Sequence, residues 1–389
     1  MYKKLLALSY IFLIFLLFLY SFTQVDLGLT LSKNKLLHDI LFSFQHIGYF
    51  NRNLSSTIYI SLIFLMYIFY IAFLKLAYSK QIETKYIWKI LLISTPILII
   101  SYNAFSYDLF NYVFDAKIIT HYGQNPYFHK ALDYPLDPML AFMHWTDRTY
   151  PYGPIWLLVS VPISKAGSNI FILTTLLFKF AAGLSYLGCI FFIQKICHKF
   201  KLNQQLGMVY FGLLPLTQIE LVLNAHNDGI MFFLLLASLY FYFVKPSKIL
   251  SILLYLLSVG IKYVTAFLLP VYIYMFFIKK IEINKIIYFS IMLLSAAFIA
   301  VVYRTNFQPW YLIYPIIIFS LTELKKNFIV PTIIVSFAGL LIYFPYLYTG
   351  NWNPPIPTII NIIVLCSFAL SIIYISLNNL TTKFKNDNE

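Results

Sequence analysis

Carboxylates, imidazoles and ammonium groups are sparse in this chain, so the places where they gather carry information. Asp108 follows directly on an apolar stretch, flanked by Tyr107 and Tyr112, with Asp115 shortly after. A carboxylate at the water boundary above an apolar segment is partly desolvated, which raises its pKa and suits it to general-base chemistry. An N-cap or a solvated loop acid is the competing reading of Asp108. Asn224-Ala225-His226-Asn227-Asp228 brings an imidazole and a carboxylate to the end of another apolar run, with Glu220 inside that run. Capping by Asn227 or Asp228 explains one polar residue rather than the cluster, and an ionisable group within a span is a functional hypothesis by default.

The cations are also placed unevenly. Lys262 and Arg304 fall on the side opposite most of the lysines, where an anion such as a lipid phosphate is a fitting ligand. Lys179, within a long apolar run, is a further cation for the site or simply snorkels to the interface. Two clusters mix turn residues with aromatics: Tyr122 to Tyr127, containing Asn125, and Asp147 to Pro154, containing Tyr152. Aromatic platforms beside planar polar groups suit sugars, and ordinary turn chemistry explains the same residues equally well. Trp310 and Tyr311 open a later apolar run, where aromatics are expected as interface anchors.

These groups need apolar elements to hold them. Of 389 residues, 61% are hydrophobic and 11% charged, and the mean hydropathy is +0.78; soluble domains carry about 25% charged residues. The chain is expected to be all-α, a polytopic integral membrane protein. The net charge of +14 does not form a nucleic-acid-binding stripe. Its lysines flank apolar runs, at Lys3 and Lys4, Lys75 to Lys89, Lys195 to Lys201, Lys245 and Lys248, Lys279 to Lys285, Lys325 and Lys326, and Lys383 and Lys385. That is the positive-inside pattern, and it places both termini in the cytoplasm of a multi-pass cell-membrane protein. Cys189, Cys197 and Cys366 lack disulfide or metal-ligand spacing.

Spans are expected over residues 5–22, 57–78, 86–103, 169–196, 206–223, 229–244, 285–303, 310–321, 328–346 and 356–377. Two short runs, 249–260 and 265–278, make a hairpin hinged near Gly260 with Lys262 at its apex, giving about twelve membrane segments. Residues 36–50 lie along the surface. The polar segment 102–168 forms an external loop, and within it 154–165 is too short to cross a bilayer. The first run resembles a signal peptide but has no small-residue cleavage site, so it is read as a retained span. Residues 1–389 then make one transmembrane domain with 102–168 as its external catalytic loop.

The order of these pieces resembles the glycosyltransferase-C superfamily, in particular the bacterial polyprenol-phosphate-mannose-dependent α-mannosyltransferases. The resemblance runs from about Tyr102 to Tyr311. It is carried by Tyr107-Asp108 with Tyr112, Gly123 to Tyr127, Tyr150 to Pro154, His226-Asn227-Asp228, Gly260-Ile261-Lys262 with Pro270, and Gln308 to Tyr311. The paired acid of many relatives is absent around Asp108, and two spans precede the loop.

The resemblance implies transfer of a sugar, most often mannose, from a polyprenyl-phosphate donor to a glycan or glycolipid hydroxyl on the extracytoplasmic face, with inversion. Asp108 is then the base, and Lys262 and Arg304 bind the phosphate. Tyr107, Tyr112, Asp115, Asn125, Tyr152, His226, Asn227, Asp228, Trp310 and Tyr311 contact substrate. No cofactor is required with certainty, and a divalent cation is left open. The partners are the lipid-linked donor, the acceptor and the bilayer, with no nucleic acid. A transporter or flippase of lipid-linked sugars is the alternative, in which Glu220 and Lys179 mark a midplane path; a non-catalytic scaffold is a third.

Overall fold

A computed structural model describes residues 2–277 and 282–386, with side chains through Thr381. The basic pair 279–280 and the side chains of Lys383 and Lys385 lie outside the described residues. The fold is helical throughout; among the described residues the only β-type pairing is an isolated bridge between Lys130 and Thr149.

The chain runs through α1 (Tyr2–Ser21), the amphipathic α2 (Lys35–Gln45), α3 (Arg52–Tyr78), α4 (Thr84–Ile99) and α5 (Asp108–Thr120). It continues through α6 (Pro154–Ala166), α7 (Phe171–Lys199), α8 (Gln204–Gly212), α9 (Pro215–Gln218) and α10 (Asp228–Phe243). Then come α11 (Lys248–Ile261), α12 (Leu269–Phe277), α13 (Ile283–Thr305), α14 (Ile313–Phe319), α15 (Lys326–Leu341), α16 (Tyr343–Thr349) and α17 (Ile356–Asn386).

Among the described residues six helices are long and apolar enough to cross a membrane, or seven if one bent pair counts as a span. The protein is therefore a helical membrane protein, but the expected count of about twelve is not reached. The reason is length. The expected spans 86–103 and 229–244 are α4 and α10, of 16 residues each. At 1.5 Å per residue such a helix measures about 24 Å, against a hydrocarbon core of about 30 Å. The run 310–321 is broken into the 3₁₀ turn Pro309–Leu312 and the short α14. The run 206–223 bends by 57° between α8 and α9, because Leu214 is extended before Pro215, whose ring excludes a helical predecessor and supplies no N–H.

Contacts between distant segments define two ends of the bundle. At the basic end Lys3 donates to Gln81 O, Tyr86 OH donates to Lys3 O at 2.8 Å, and Asn203 Nδ2 donates to Ala77 O at 3.0 Å. At the other end the Tyr102 N–H donates to Ser21 Oγ at 2.9 Å and the Phe105 N–H to Asn224 Oδ1 at 3.3 Å. Every polar residue singled out near Asp108 and His226 collects at this second end.

The hairpin forms with its break at Lys262, which is extended (φ −151°, ψ 128°) between α11 and the 3₁₀ turn Tyr263–Leu268. The expected short helix over 154–165 is α6, 13 residues long. Its start is locked to the hairpin: the Gly153 N–H donates to Ile261 O at 3.1 Å. A Cβ on Gly153 would lie 2.2 Å from Gly260 O, so this backbone crossing requires glycine.

Candidate active site

α5 carries the first half of the site. Asp108, Asn111, Tyr112 and Asp115 fall at helical spacing on one face. Asp108 opens the helix, where the positive end of the macrodipole favours a carboxylate. The N-cap position belongs to Tyr107, and Asp108 makes no side-chain capping bond. Its side chain is only 16% exposed, with Oδ1 3.9 Å from Arg148 Nη2 and Oδ2 4.0 Å from His226 Nε2.

His226 arrives from the turn between the π-helical segment Ile219–Leu223 and α10. Ala225 sits there at φ +57°, a left-handed conformation that a residue with a Cβ adopts rarely. The reversal lets the His226 N–H donate to Glu220 O at 3.1 Å and tucks the imidazole inward. Nε2 lies 2.9 Å from Ser106 Oγ, which also accepts the Asp108 N–H at 3.2 Å. Nδ1 lies 3.1 Å from Glu220 Oε2, and the ring packs against Trp310 with centroids 4.0 Å apart. Glu220 is fully buried and accepts from Tyr343 OH at 3.0 Å and Asn224 Nδ2 at 3.0 Å. A row of polar groups thus runs from Asp108 through His226 and Glu220 to Tyr343.

The second cation lies beside this row. Lys262 Nζ donates to both carboxylate oxygens of Asp228, at 3.0 and 2.9 Å, and stands 5.7 Å from the Tyr311 ring centroid. Asp228 is buried and Lys262 is 22% exposed. Next to them Asn227 is 1% exposed, and neither its Oδ1 nor its Nδ2 has a partner. It occupies the N-cap position of α10 without making a cap bond, and among the described residues its amide is buried without a hydrogen-bond partner.

Asp115 is half-buried. Burial pushes its carboxyl up to about 7; Arg148 works against this and Asp108 adds to it. Tyr112 and Tyr152 pack edge to face with centroids 5.3 Å apart, and Trp156 closes on Tyr112 from α6.

Three expected site residues are not gathered here. Tyr107 turns its hydroxyl to Asp26 Oδ2 at 3.3 Å and stacks on His144 with centroids 3.7 Å apart. Asn125 is exposed and accepts the Tyr127 N–H at 3.0 Å, the local turn bond its type favours. Arg304 is exposed at the end of α13 and, among the described residues, forms no ion pair.

Lys179 does not snorkel. It is 1% exposed and donates to Ser101 O and, at 2.7 Å, to Leu223 O. These carbonyls end α4 and the segment before His226, so the ammonium ties together the two strands of chain that deliver Asp108 and His226. Ser106, Arg148 and Tyr343 join the site without having been singled out, since a serine in a loop or a tyrosine in an apolar run carries no signal of its own.

Among the described residues no three His, Cys, Asp or Glu side chains form a metal-ligand group. The arrangement offers a carboxylate, a buried imidazole–carboxylate pair and an ammonium within one polar cluster. No curated protein and no solved structure matches the chain significantly. Residues 15–278, more than half of the chain, match the family model described as alpha-(1->6)-mannopyranosyltransferase, N-terminal domain. The chain accordingly belongs to that family, a mannosyltransferase of the glycosyltransferase-C type.

Proposed function

We propose that this protein transfers a mannosyl residue from a polyprenyl-phosphate donor to an acceptor hydroxyl on the extracytoplasmic face, in a single inverting displacement with Asp108 as base. The observation that carries the reading is the setting of Asp108. A largely shielded carboxylate, whose side chain makes no hydrogen bond among the described residues, stands between His226 and Arg148.

In the proposed step the acceptor O–H gives its proton to Asp108 while its oxygen forms a bond to the anomeric carbon. The bond from that carbon to the phosphate oxygen breaks, and polyprenyl phosphate leaves with the electron pair. Asp228 engages two of the three N–H donors of Lys262, leaving one for a phosphate oxygen. Asn227, Asp115, Tyr112, Tyr152, Trp310 and Tyr311 line the space for sugar and acceptor. The lysine-rich end faces the cytoplasm, with both termini, and the whole chain works as one transmembrane domain around the external loop 102–168.

The test is transfer of radiolabelled mannose from polyprenyl-phosphate-mannose to endogenous membrane acceptors, with wild type and Asp108→Asn at matched expression. Transfer by wild type alone supports the reading. Full transfer by Asp108→Asn removes Asp108 as the base, and transfer by neither removes the donor.

A further inference from the structure

One residue beside Asp108 combines three features that packing alone does not account for. Trp145 holds φ at +56°, a conformation that bulky residues avoid. Its side chain is nevertheless 53% exposed, so burial of the indole does not offset the strained backbone. The Arg148 guanidinium stands 5.4 Å from its ring centroid, and the same guanidinium reaches Asp108 at 3.9 Å.

The turn is clamped from both sides. Asn111, on the Asp108 face of α5, donates from Nδ2 to Trp145 O at 3.3 Å, and the preceding His144 is stacked flat on Tyr107 with an interplanar angle of 5°. The Thr146 carbonyl accepts the Leu132 N–H at 3.2 Å. Asn111 is itself 5% exposed, and its Oδ1 has no partner. The surroundings thus hold in place a left-handed tryptophan whose ring remains open beside Arg148, the guanidinium that reaches Asp108.

We propose that Trp145 and Arg148 form the acceptor subsite, a platform on which one pyranose ring of a glycan acceptor lies so that its hydroxyl meets Asp108. The C–H face of a pyranose is apolar and matches an indole in size, and such contacts gain by dispersion and removal of apolar surface from water. Arg148 has five N–H donors in a planar fork, enough to bind ring hydroxyls while keeping its approach to Asp108. The chemistry recognised is a neutral hexose ring, in contrast to the phosphate recognition ascribed to Lys262. This inference rests on the transferase reading, whose acceptor it defines.

The experiment compares wild type with Trp145→Gly and Arg148→Gln in nanodiscs, using soluble mannobiose as the probe. Glycine is unstrained at positive φ, so Trp145→Gly folds with an unchanged or higher Tm. Wild type should show a saturable change in tryptophan emission on adding mannobiose, absent in Trp145→Gly and weakened in Arg148→Gln. In the transfer assay Trp145→Gly should raise the acceptor KM at least tenfold while the donor KM stays within about twofold. An unchanged acceptor KM in Trp145→Gly overturns the proposal. So does quenching of the Trp145 emission by nitroxide-labelled lipid with no response to mannobiose, which makes the ring a membrane anchor. Saturable, Trp145-dependent glycan binding without any mannosyl transfer keeps the subsite and sinks the transferase reading instead.

Discussion

The imidazole of His226 stands between two carboxylates contributed by distant parts of the chain, Asp108 Oδ2 at 4.0 Å from Nε2 and Glu220 Oε2 at 3.1 Å from Nδ1. On the proposed role of Asp108 as base, the imidazole helps to position it through Ser106 Oγ, which lies 2.9 Å from Nε2 and accepts the Asp108 N–H at 3.2 Å. His226→Ala should lower the single-turnover transfer rate about 10²-fold, in the range of positioned acid–base groups, with a small effect on donor affinity. Rapid-quench measurement at saturating donor checks this, and an unchanged rate removes the imidazole from the reacting centre.

Lys262 and Asp228 should separate stability from activity. Lys262→Met leaves a fully buried carboxylate without its partner, which costs about 3–5 kcal/mol. The double variant Lys262→Met/Asp228→Asn should recover most of that loss in thermal unfolding and recover little transfer. Recovery of both would show that the pair is structural and that Lys262 does not meet a phosphate.

Lys179 predicts a different balance. Lys179→Met strips the ammonium from two buried carbonyl groups, each charge-assisted hydrogen bond contributing about 1.5–3 kcal/mol. We expect a lower Tm in detergent together with a reduced transfer rate, since Ser101 and Leu223 lead to Asp108 and His226. A variant with normal Tm and normal rate would mean that the tie is dispensable.

Gly153→Ala tests the seam between the segment 102–168 and the hairpin. The added methyl meets Gly260 O at 2.2 Å and has no flexible side chain to displace, so overpacking should cost about 1–3 kcal/mol. Limited proteolysis should cut the segment before α6 faster in this variant than in wild type.

Asp115 should make stability depend on pH. Its carboxyl is pushed up to about 7, chiefly by burial, from its ordinary value of 3.8, so the folded state binds its proton more tightly than the unfolded chain does. That preference favours the fold at acid pH and is lost as pH rises from about 4 through about 7. Asp115→Asn removes the cost of ionisation and should unfold at a higher temperature than wild type at pH 8, with the gap shrinking towards pH 5. A gap that grows on acidification would reverse the assignment.

Much of this organisation is legible before any tertiary contact is known. The absence of charge from long runs forces helices, because a backbone in hydrocarbon has no other way to satisfy its hydrogen bonds. The lysines mark one end of the bundle, and the length of the apolar run 154–165 marks a short helix. The break at Lys262 follows from two half-length runs, and the polar end from the clustering of acids in 102–168 and at 224–228.

Other features depend on which residues meet. A charge census distinguishes a span from a loop but cannot tell that a proline will bend 206–223 or that α4 and α10 stop at 16 residues. Lys179 reads as a snorkelling lysine until helix packing removes its route to water and gives it two carbonyls. Ser106, Arg148, Trp145 and Tyr343 acquire meaning only from their neighbours, and Tyr107 and Asn125 lose theirs for the same reason. Hydrophobic periodicity and charge act along the chain, so composition is enough to set the helices and the polar end. The pairing of Asp108 with His226, and of Glu220 with Tyr343, requires side chains far apart in sequence to arrive within a few ångströms, which packing of the whole bundle alone specifies.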